Sequence, residues 1–259
     1  MAASISDIKV LYQNTPFEGL EAFIEEYSSD ERSGVKSLVK KAEKQIEARR
    51  MELIRLEKMR IFEHQFEGEY QYICGVDEAG RGPFAGPVVA GAAILPKDEN
   101  ILYLNDSKKL SPAKRDELFD EVKEKAVAWG VGVVSAHRID EIGVGKADFE
   151  AMRLAIKNMS VEADFALTDA FEIPELWIPQ KPIIKGDAKS VSIAAASILA
   201  KVTRDRIMDE LDEKYPMYGF RDHKGYGTQY HRDRIIEYGP CEEHRMSFLK
   251  NMHEAWKNK

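Results

Sequence analysis

Hydrophobic spacing divides the chain near residue 70. Before that point apolar residues recur at helical intervals; after it short apolar runs alternate with helical patterns. "FEGLEAFIEEYSSD", residues 17–30, reads as a short amphipathic helix. A longer one starts at Asp30, with Val35, Leu38, Val39, Ala42, Ile46, Leu53 and Leu56 near helical spacing. From Tyr72 the texture changes. "YICGV" (72–76), "VVAGAAIL" (88–95) and "GVGVVSA" (130–136) read as three strands. "PAKRDELFDEVKEKAVAW" (112–129) reads as a helix, with Pro112 in its first turn behind Ser111. "KADFEAMRLAIKNM" (146–159) is a second helix. "DFALTD" (164–169) and "KPIIKGD" (181–187) supply the fourth and fifth strands. "SVSIAAASILAKVTRDRIMDELDEKY" (190–215) is a long helix whose small residues let it approach a sheet or another helix closely. From Gly219 loops mix with two short helical patterns. The alternation predicts an α/β domain over 71–259, with some parallel pairing, behind a helical extension over 1–70.

Composition narrows the class. The 259 residues, 44% hydrophobic and 32% charged, suit a soluble globular chain. No apolar run approaches the roughly 20 residues of a membrane helix. "MAASISDIKVLYQN" lacks a basic start followed by an apolar core, so no secretory leader is expected. Cys74 and Cys241 do not make a disulfide framework, and a cytoplasmic location is expected. The net charge of −7 argues mildly against a nucleic-acid partner, but the charge is uneven. On the outer face of the long N-terminal helix Arg32, Lys36, Lys40, Lys41, Lys44, Arg49, Arg50, Arg55, Lys58 and Arg60 outnumber Glu43, Glu47, Glu52 and Glu57. Such a face is either solvated surface or an arm that touches a polyanion.

Four acids fall at the ends of expected strands: Asp77 and Glu78 after the first, Asp169 after the fourth, Asp187 after the fifth. Sites in parallel α/β sheets are built at that edge. Four carboxylates gathered there repel unless cations lie among them. An all-oxygen set with open water positions suits Mg²⁺ or Mn²⁺, and two such ions roughly 4 Å apart support in-line attack on phosphorus. The alternative stays open: strand-end acids are often caps or surface residues, and Asp187 could cap the following helix. In a continuing strand Asp77 and Glu78 point to opposite faces, so sharing one site requires the strand to end or bend there. Ala79-Gly80 permits that bend. Gly80-Arg81-Gly82 exposes backbone N–H groups and could hold a phosphate or approach a sugar, or be a plain loop. It has no Gly-Lys-Ser/Thr and is no Walker loop. His223, His231, Cys241 and His244 match no standard zinc spacing.

"GVDEAGRGP", "LNDSKKLS", "KGDAKSVSIAAASILAKVTRD" and "HKGYGT" together resemble ribonuclease HII, the type 2 ribonuclease H family, from about Tyr72 to Phe248. The resemblance implies a ribonuclease H-like fold: a mixed five-stranded sheet, its first three strands antiparallel, with flanking helices. It implies that Asp77, Glu78, Asp169 and Asp187 are the metal-binding catalytic acids, with two Mg²⁺ or Mn²⁺ ions expected with substrate. Gly80, Arg81 and Gly82 match the turn that reads the 2′-hydroxyl and adjacent phosphates. Tyr226 matches the tyrosine at the RNA–DNA junction. Ser107, Lys108 and Lys109 resemble backbone-contacting positions, and Lys185 adds local positive charge. The implied reaction is hydrolysis 5′ to a ribonucleotide, in RNA–DNA hybrids and in DNA duplexes with embedded ribonucleotides, leaving 3′-hydroxyl and 5′-phosphate ends. A monomer is implied. Residues 1–70 resemble the helical extension of some bacterial members; for this chain two readings of it stay open, a basic arm on the substrate or a dock for a protein partner. One departure is Ala170, where a glycine often follows the acid.

Overall fold

The structure is a computed structural model that describes residues 3–252. The end of the expected catalytic segment, 253–259, lies outside the described residues. Two compact units divide the chain, Met1–Glu57 and Lys58–Lys259.

The first unit is helical. α1 (Ile5–Asn14) opens on a capping box: Ser4 accepts from the Asp7 amide while the Asp7 carboxylate accepts from the Ser4 amide. α2 spans Leu20–Tyr27 and α3 spans Ser33–Met59, the boundary between units falling in its last turn. Ile8, Leu20, Phe23, Val35, Leu38, Val39 and Ala42 form their own core. The apolar stripe is interrupted at Leu53, which is exposed, and resumes at Leu56, which is buried. Much of the basic face is solvated or paired, as Lys36 is with Glu31 and Arg50 with Glu47. Arg60 does not belong to it. Arg60 is buried in the second unit, where its guanidinium donates to the carbonyls of Pro96 and Glu99 at 3.2 and 2.5 Å.

In the second unit α4 (Ile61–Phe66) precedes β1 (Ile73–Ala79), β2 (Val88–Ile94), α5 (Pro112–Lys125), β3 (Ala128–Val134), α6 (Ala136–Ile142), α7 (Val144–Lys157), β4 (Phe165–Asp169), β5 (Gln180–Ile183), α8 (Val191–Lys214), α9 (Phe220–His223) and α10 (Gln229–Tyr238). The sheet order is β3-β2-β1-β4-β5. β1, β2 and β3 pair antiparallel; β1–β4 and β4–β5 pair parallel. This is the mixed five-stranded sheet expected of a ribonuclease H-like fold. Pro182, which cannot donate to a ladder, sits in an edge strand, where that loss is tolerated.

The sheet is covered on both faces. α7 sets Ala147, Ala151, Met152, Ala155 and Ile156 against Cys74, Val76, Ala90 and Ala92. α8 packs on the other face of β1 and β2, and Ile193 joins Ile73, Leu167 and Ile183. A Cβ on Gly91 would lie 2.2 Å from the Ala196 carbonyl oxygen, so glycine is what admits the helix at this distance. Each fully buried Ile or Leu of these layers contributes about 1.5–3 kcal/mol.

Several boundaries differ from the sequence reading, among them the fifth strand, expected to reach Asp187 and ending at Ile183. The helix expected to reach Trp129 stops at Lys125, because Ala128 and Trp129 pair with Ile94 and Ala93. "SVSIAAAS" begins a helix as expected, but its cap is Ser190, whose side chain accepts from the Ile193 amide; Asp187 is no cap and stands in a 3-10 turn, Gly186–Ala188. α6, capped by Ser135, was not anticipated, since "VSA" reads as the end of a strand.

Candidate active site

β1 does not end at its acids. It runs through Asp77 and Glu78, paired with Gly91 and Ala90, to Ala79. The two carboxylates therefore alternate. Asp77, on the α8 side, is buried and hydrogen-bonded to Ser197. Glu78, on the α7 side, faces Asp148 and Arg81. The bend follows at Gly80, whose φ of +97° belongs to glycine; a Cβ there would also meet the Arg204 side chain. Two buried arginines hold this turn from behind. Arg245 donates to the carbonyls of Gly80 (2.6 Å), Arg81 (2.9 Å) and Gly86 (2.8 Å), and Arg204 donates to Pro87 (2.9 Å). With those carbonyls engaged inside, the Arg81 side chain and Gly82 remain exposed.

A cleft of about 350 Å³ opens at this edge. It is lined by Asp77, Glu78, Gly80, Arg81, Gly82, Ser107, Lys108 and Tyr226 from the sequence reading, together with Ser197, Lys201 and Arg204. Tyr226 is half exposed, and its ring lies close to Gly82. Ser107 is buried and shares a 3.0 Å hydrogen bond with Ser197. Lys109 and Lys185 do not line the cleft; Lys109 is 3.9 Å from Asp106, and Lys185 is exposed in a left-handed turn.

Asp169 and Asp187 do not line the cleft; Asp169 is near enough for its charge to act on Asp77 and Glu78, and Asp187 feels Asp169 and Lys108. Asp169 Oδ1 accepts from the Gly186 amide at 2.6 Å, which ties the end of β4 to the turn carrying Asp187. Ala170, next in the chain, has φ +60°, the left-handed conformation that glycine adopts without strain.

The acids act on one another. Burial, then the charges of Glu78 and Asp169, push the Asp77 carboxyl well up, against the Ser197 hydrogen bond. Burial and Asp148 raise Glu78 to about 7, with Arg81 opposing and Asp169 adding. Asp187 is raised by burial, then by Asp106 and Asp169, against Lys108. Asp148, which sequence spacing did not single out, is raised to about 6 by burial despite Arg81. Among the described residues no three acid, histidine or cysteine side chains already converge tightly enough to hold a metal ion. The donor set nevertheless fits one. It is all oxygen, and its mutual repulsion is what a hard divalent cation relieves.

The histidines have other work. His231 and His244 share a 3.0 Å bond between Nε2 atoms, and His231 Nδ1 lies 2.9 Å from the Tyr226 carbonyl. His244 Nδ1 accepts from the Cys241 amide at 3.0 Å. Burial lowers His231 to about 4 and His244 to about 3, so both are neutral at pH 7 and brace the loop of Tyr226.

Ser197, Lys201 and Arg204 carried a signal that was missed: positions i, i+4 and i+7 put polar groups on one stripe of a helix otherwise apolar there. Arg245 and Asp148 carried none.

Comparison with known proteins agrees with this fold. Residues 74–253 match the model of the ribonuclease HII family, and 4–67 match that of the ribonuclease HII N-terminal domain. Ribonuclease HII of Lachnoclostridium phytofermentans is 53% identical over 88% of this chain and 89% of its own length. That of Clostridioides difficile is 49% identical over 96% and 98%. Among solved structures, ribonuclease H2 from Pyrococcus horikoshii superposes with a TM-score of 0.62 at 26% identity, covering 73% of this chain and 98% of that one. An Archaeoglobus fulgidus RNase HII, solved in complex with PCNA, gives 0.57 at 28%, covering 68% and 94%. The chain belongs to the ribonuclease HII family and is a ribonuclease H hydrolase.

Proposed function

We propose that the chain is an endonuclease that hydrolyses the phosphodiester 5′ to a ribonucleotide, in RNA–DNA hybrids and in DNA duplexes carrying embedded ribonucleotides. Water attacks phosphorus, the bond to the preceding O3′ breaks, and the products carry a 3′-hydroxyl and a 5′-phosphate. The observation that carries this reading is the meeting, in one cleft, of an overcharged carboxylate edge with a glycine-bounded turn and an exposed tyrosine.

Asp77, Glu78, Asp169 and Asp187 hold Mg²⁺ or Mn²⁺, two ions with substrate present. Bound there, divalent ions supply Lewis acidity to the attacking water and the leaving oxygen. Gly80 and Gly82 bring backbone close to the sugar, where a 2′-hydroxyl separates RNA from DNA. Arg81 and Lys108 contact phosphates, and Tyr226 stacks on the sugar of the following deoxynucleotide. Ser107 supports Asp77 through Ser197. Lys109 and Lys185, outside the cleft lining, contribute at most to the flanking positive field. Residues 71–259 form the catalytic domain and 1–70 an extension. The chain acts as a cytoplasmic monomer, and no helix among the described residues is long and apolar enough to cross a membrane. The PCNA complex of the Archaeoglobus relative supports a protein partner here as well; docking through the extension is a separate reading that rests on its basic helical face and not on that complex.

A labelled DNA duplex with one ribonucleotide, beside an all-DNA control, tests the reading with Mg²⁺ or Mn²⁺. Cleavage only on the 5′ side of the ribonucleotide, lost in Asp169→Asn, is expected. A folded, metal-supplied protein that leaves this duplex intact, or cuts both duplexes alike, would refute it.

A further inference from the structure

The sheet-facing side of α7 is apolar with one exception. Beside Ala147, Ala151, Met152 and Ala155, Asp148 is 1% exposed. A carboxylate in such surroundings is costly unless paired. Its pairing is one-sided: Oδ2 lies 3.2 Å from Arg81 Nε, while Oδ1 is buried without a hydrogen-bond partner. A carboxylate serving packing alone would satisfy both oxygens.

Arg81 is seated on three sides. Asp148 meets Nε, Glu78 Oε1 is 3.7 Å from Nη1, and the Phe171 ring centroid is 5.5 Å from Cζ. The backbone beneath is fixed separately, by Arg245 at the carbonyls of Gly80 and Arg81. Asp148 is therefore not needed to shape the turn. What it controls is the direction of the side chain. A grip at Nε occupies neither terminal nitrogen, and it counters the pull of Glu78, which stands 3.7 Å from Nη1.

We propose that Asp148 is a positioning residue: it holds Arg81 by Nε, aims Nη1 and Nη2 at a phosphate of the substrate strand, and keeps the guanidinium from settling on Glu78. This rests on the phosphate-contacting role of Arg81 proposed above. Without Asp148 the guanidinium has one anion left, and it turns toward the acid that is to hold metal.

The test is a double-mutant cycle on the full-length protein. Wild type, Arg81→Ala, Asp148→Asn and the double variant are compared for kcat and KM on the single-ribonucleotide duplex at saturating Mg²⁺. Asp148→Ser runs in parallel in case the asparagine variant folds poorly, and melting curves establish folding throughout. Asp148→Asn is expected to raise KM about tenfold, the worth of one charge-assisted contact, with kcat changed less than about twofold. Added to Arg81→Ala, it should cost nothing further. Its effect on melting should be opposite: Arg81→Ala strands a buried carboxylate and lowers the midpoint, and the double variant recovers it. A loss confined to kcat, as a smaller folded fraction would give, overturns the proposal. So do additive losses in the cycle; if Arg81→Ala is itself impaired, that result leaves the Arg81 reading standing. Wild-type kinetics in Arg81→Ala would instead sink the Arg81 reading.

Discussion

Replacing Glu78 with glutamine should stabilise the metal-free protein, by an amount set by pH. The Glu78 side chain is 15% exposed, and burial with the neighbouring acids lifts its carboxyl from 4.5 to about 7. The unfolded chain releases this proton above pH 4.5, whereas the native state keeps it until about pH 7. Across that window the native state binds more protons, so stability falls as pH rises and the full penalty is present above it. A shift of that size corresponds to about 3 kcal/mol at pH 8 and about 1 kcal/mol at pH 5. Glutamine carries no such penalty. In EDTA at pH 8, Glu78→Gln should melt roughly 6–12 °C above wild type, and the gap should shrink to a few degrees at pH 5. Comparing the two gaps removes whatever glutamine does to packing. A gap independent of pH, or a variant less stable than wild type at pH 8, would refute the reasoning. Excess Mg²⁺ should reverse the order, since binding to the native state stabilises wild type more.

Other perturbations reach different parts of the site. Ala170→Gly relieves a left-handed alanine and should add roughly 0.5–1 kcal/mol in urea unfolding, the relief exceeding glycine's extra unfolded entropy. Arg245→Met leaves the buried carbonyls of Gly80, Arg81 and Gly86 unpaired; a loss of about 3 kcal/mol is expected, and kcat/KM should fall with it in steady-state assays. Lys108→Ala should weaken binding evenly across sequences and reduce the slope of log Kd against log salt by about 1.

The sheet was legible because its strands are short β-branched and small-residue runs bounded by turn residues, and five of them follow from the sequence. The ends were less so. In "KEKAVAW" the apolar residues continue a helical pattern, yet Ala128 and Trp129 are captured by the ladder of β2, a tertiary choice that no local spacing encodes. The acid pair was visible, and so was the place of the bend, expected at Ala79-Gly80 and found at Gly80; what spacing did not show is that the strand first runs through both acids, leaving Asp77 and Glu78 on opposite faces of its edge. Buried polar residues were the hardest to see. Asp148 occupies a position that periodicity assigns to packing, and Arg245 lies in a loop far along the chain from the turn it clamps.

That clamp sets a timetable for the chain's own synthesis. Arg245 follows Arg81 by 164 residues. At typical elongation rates, about 5–20 residues per second, the turn exists for on the order of ten to thirty seconds before its brace is made. A chain still on the ribosome carries the carboxylates of β1 and β4 but not the brace that holds Gly80–Gly82 in place. A nascent or prematurely terminated chain therefore lacks this brace, and its turn is held less firmly until synthesis has passed Arg245.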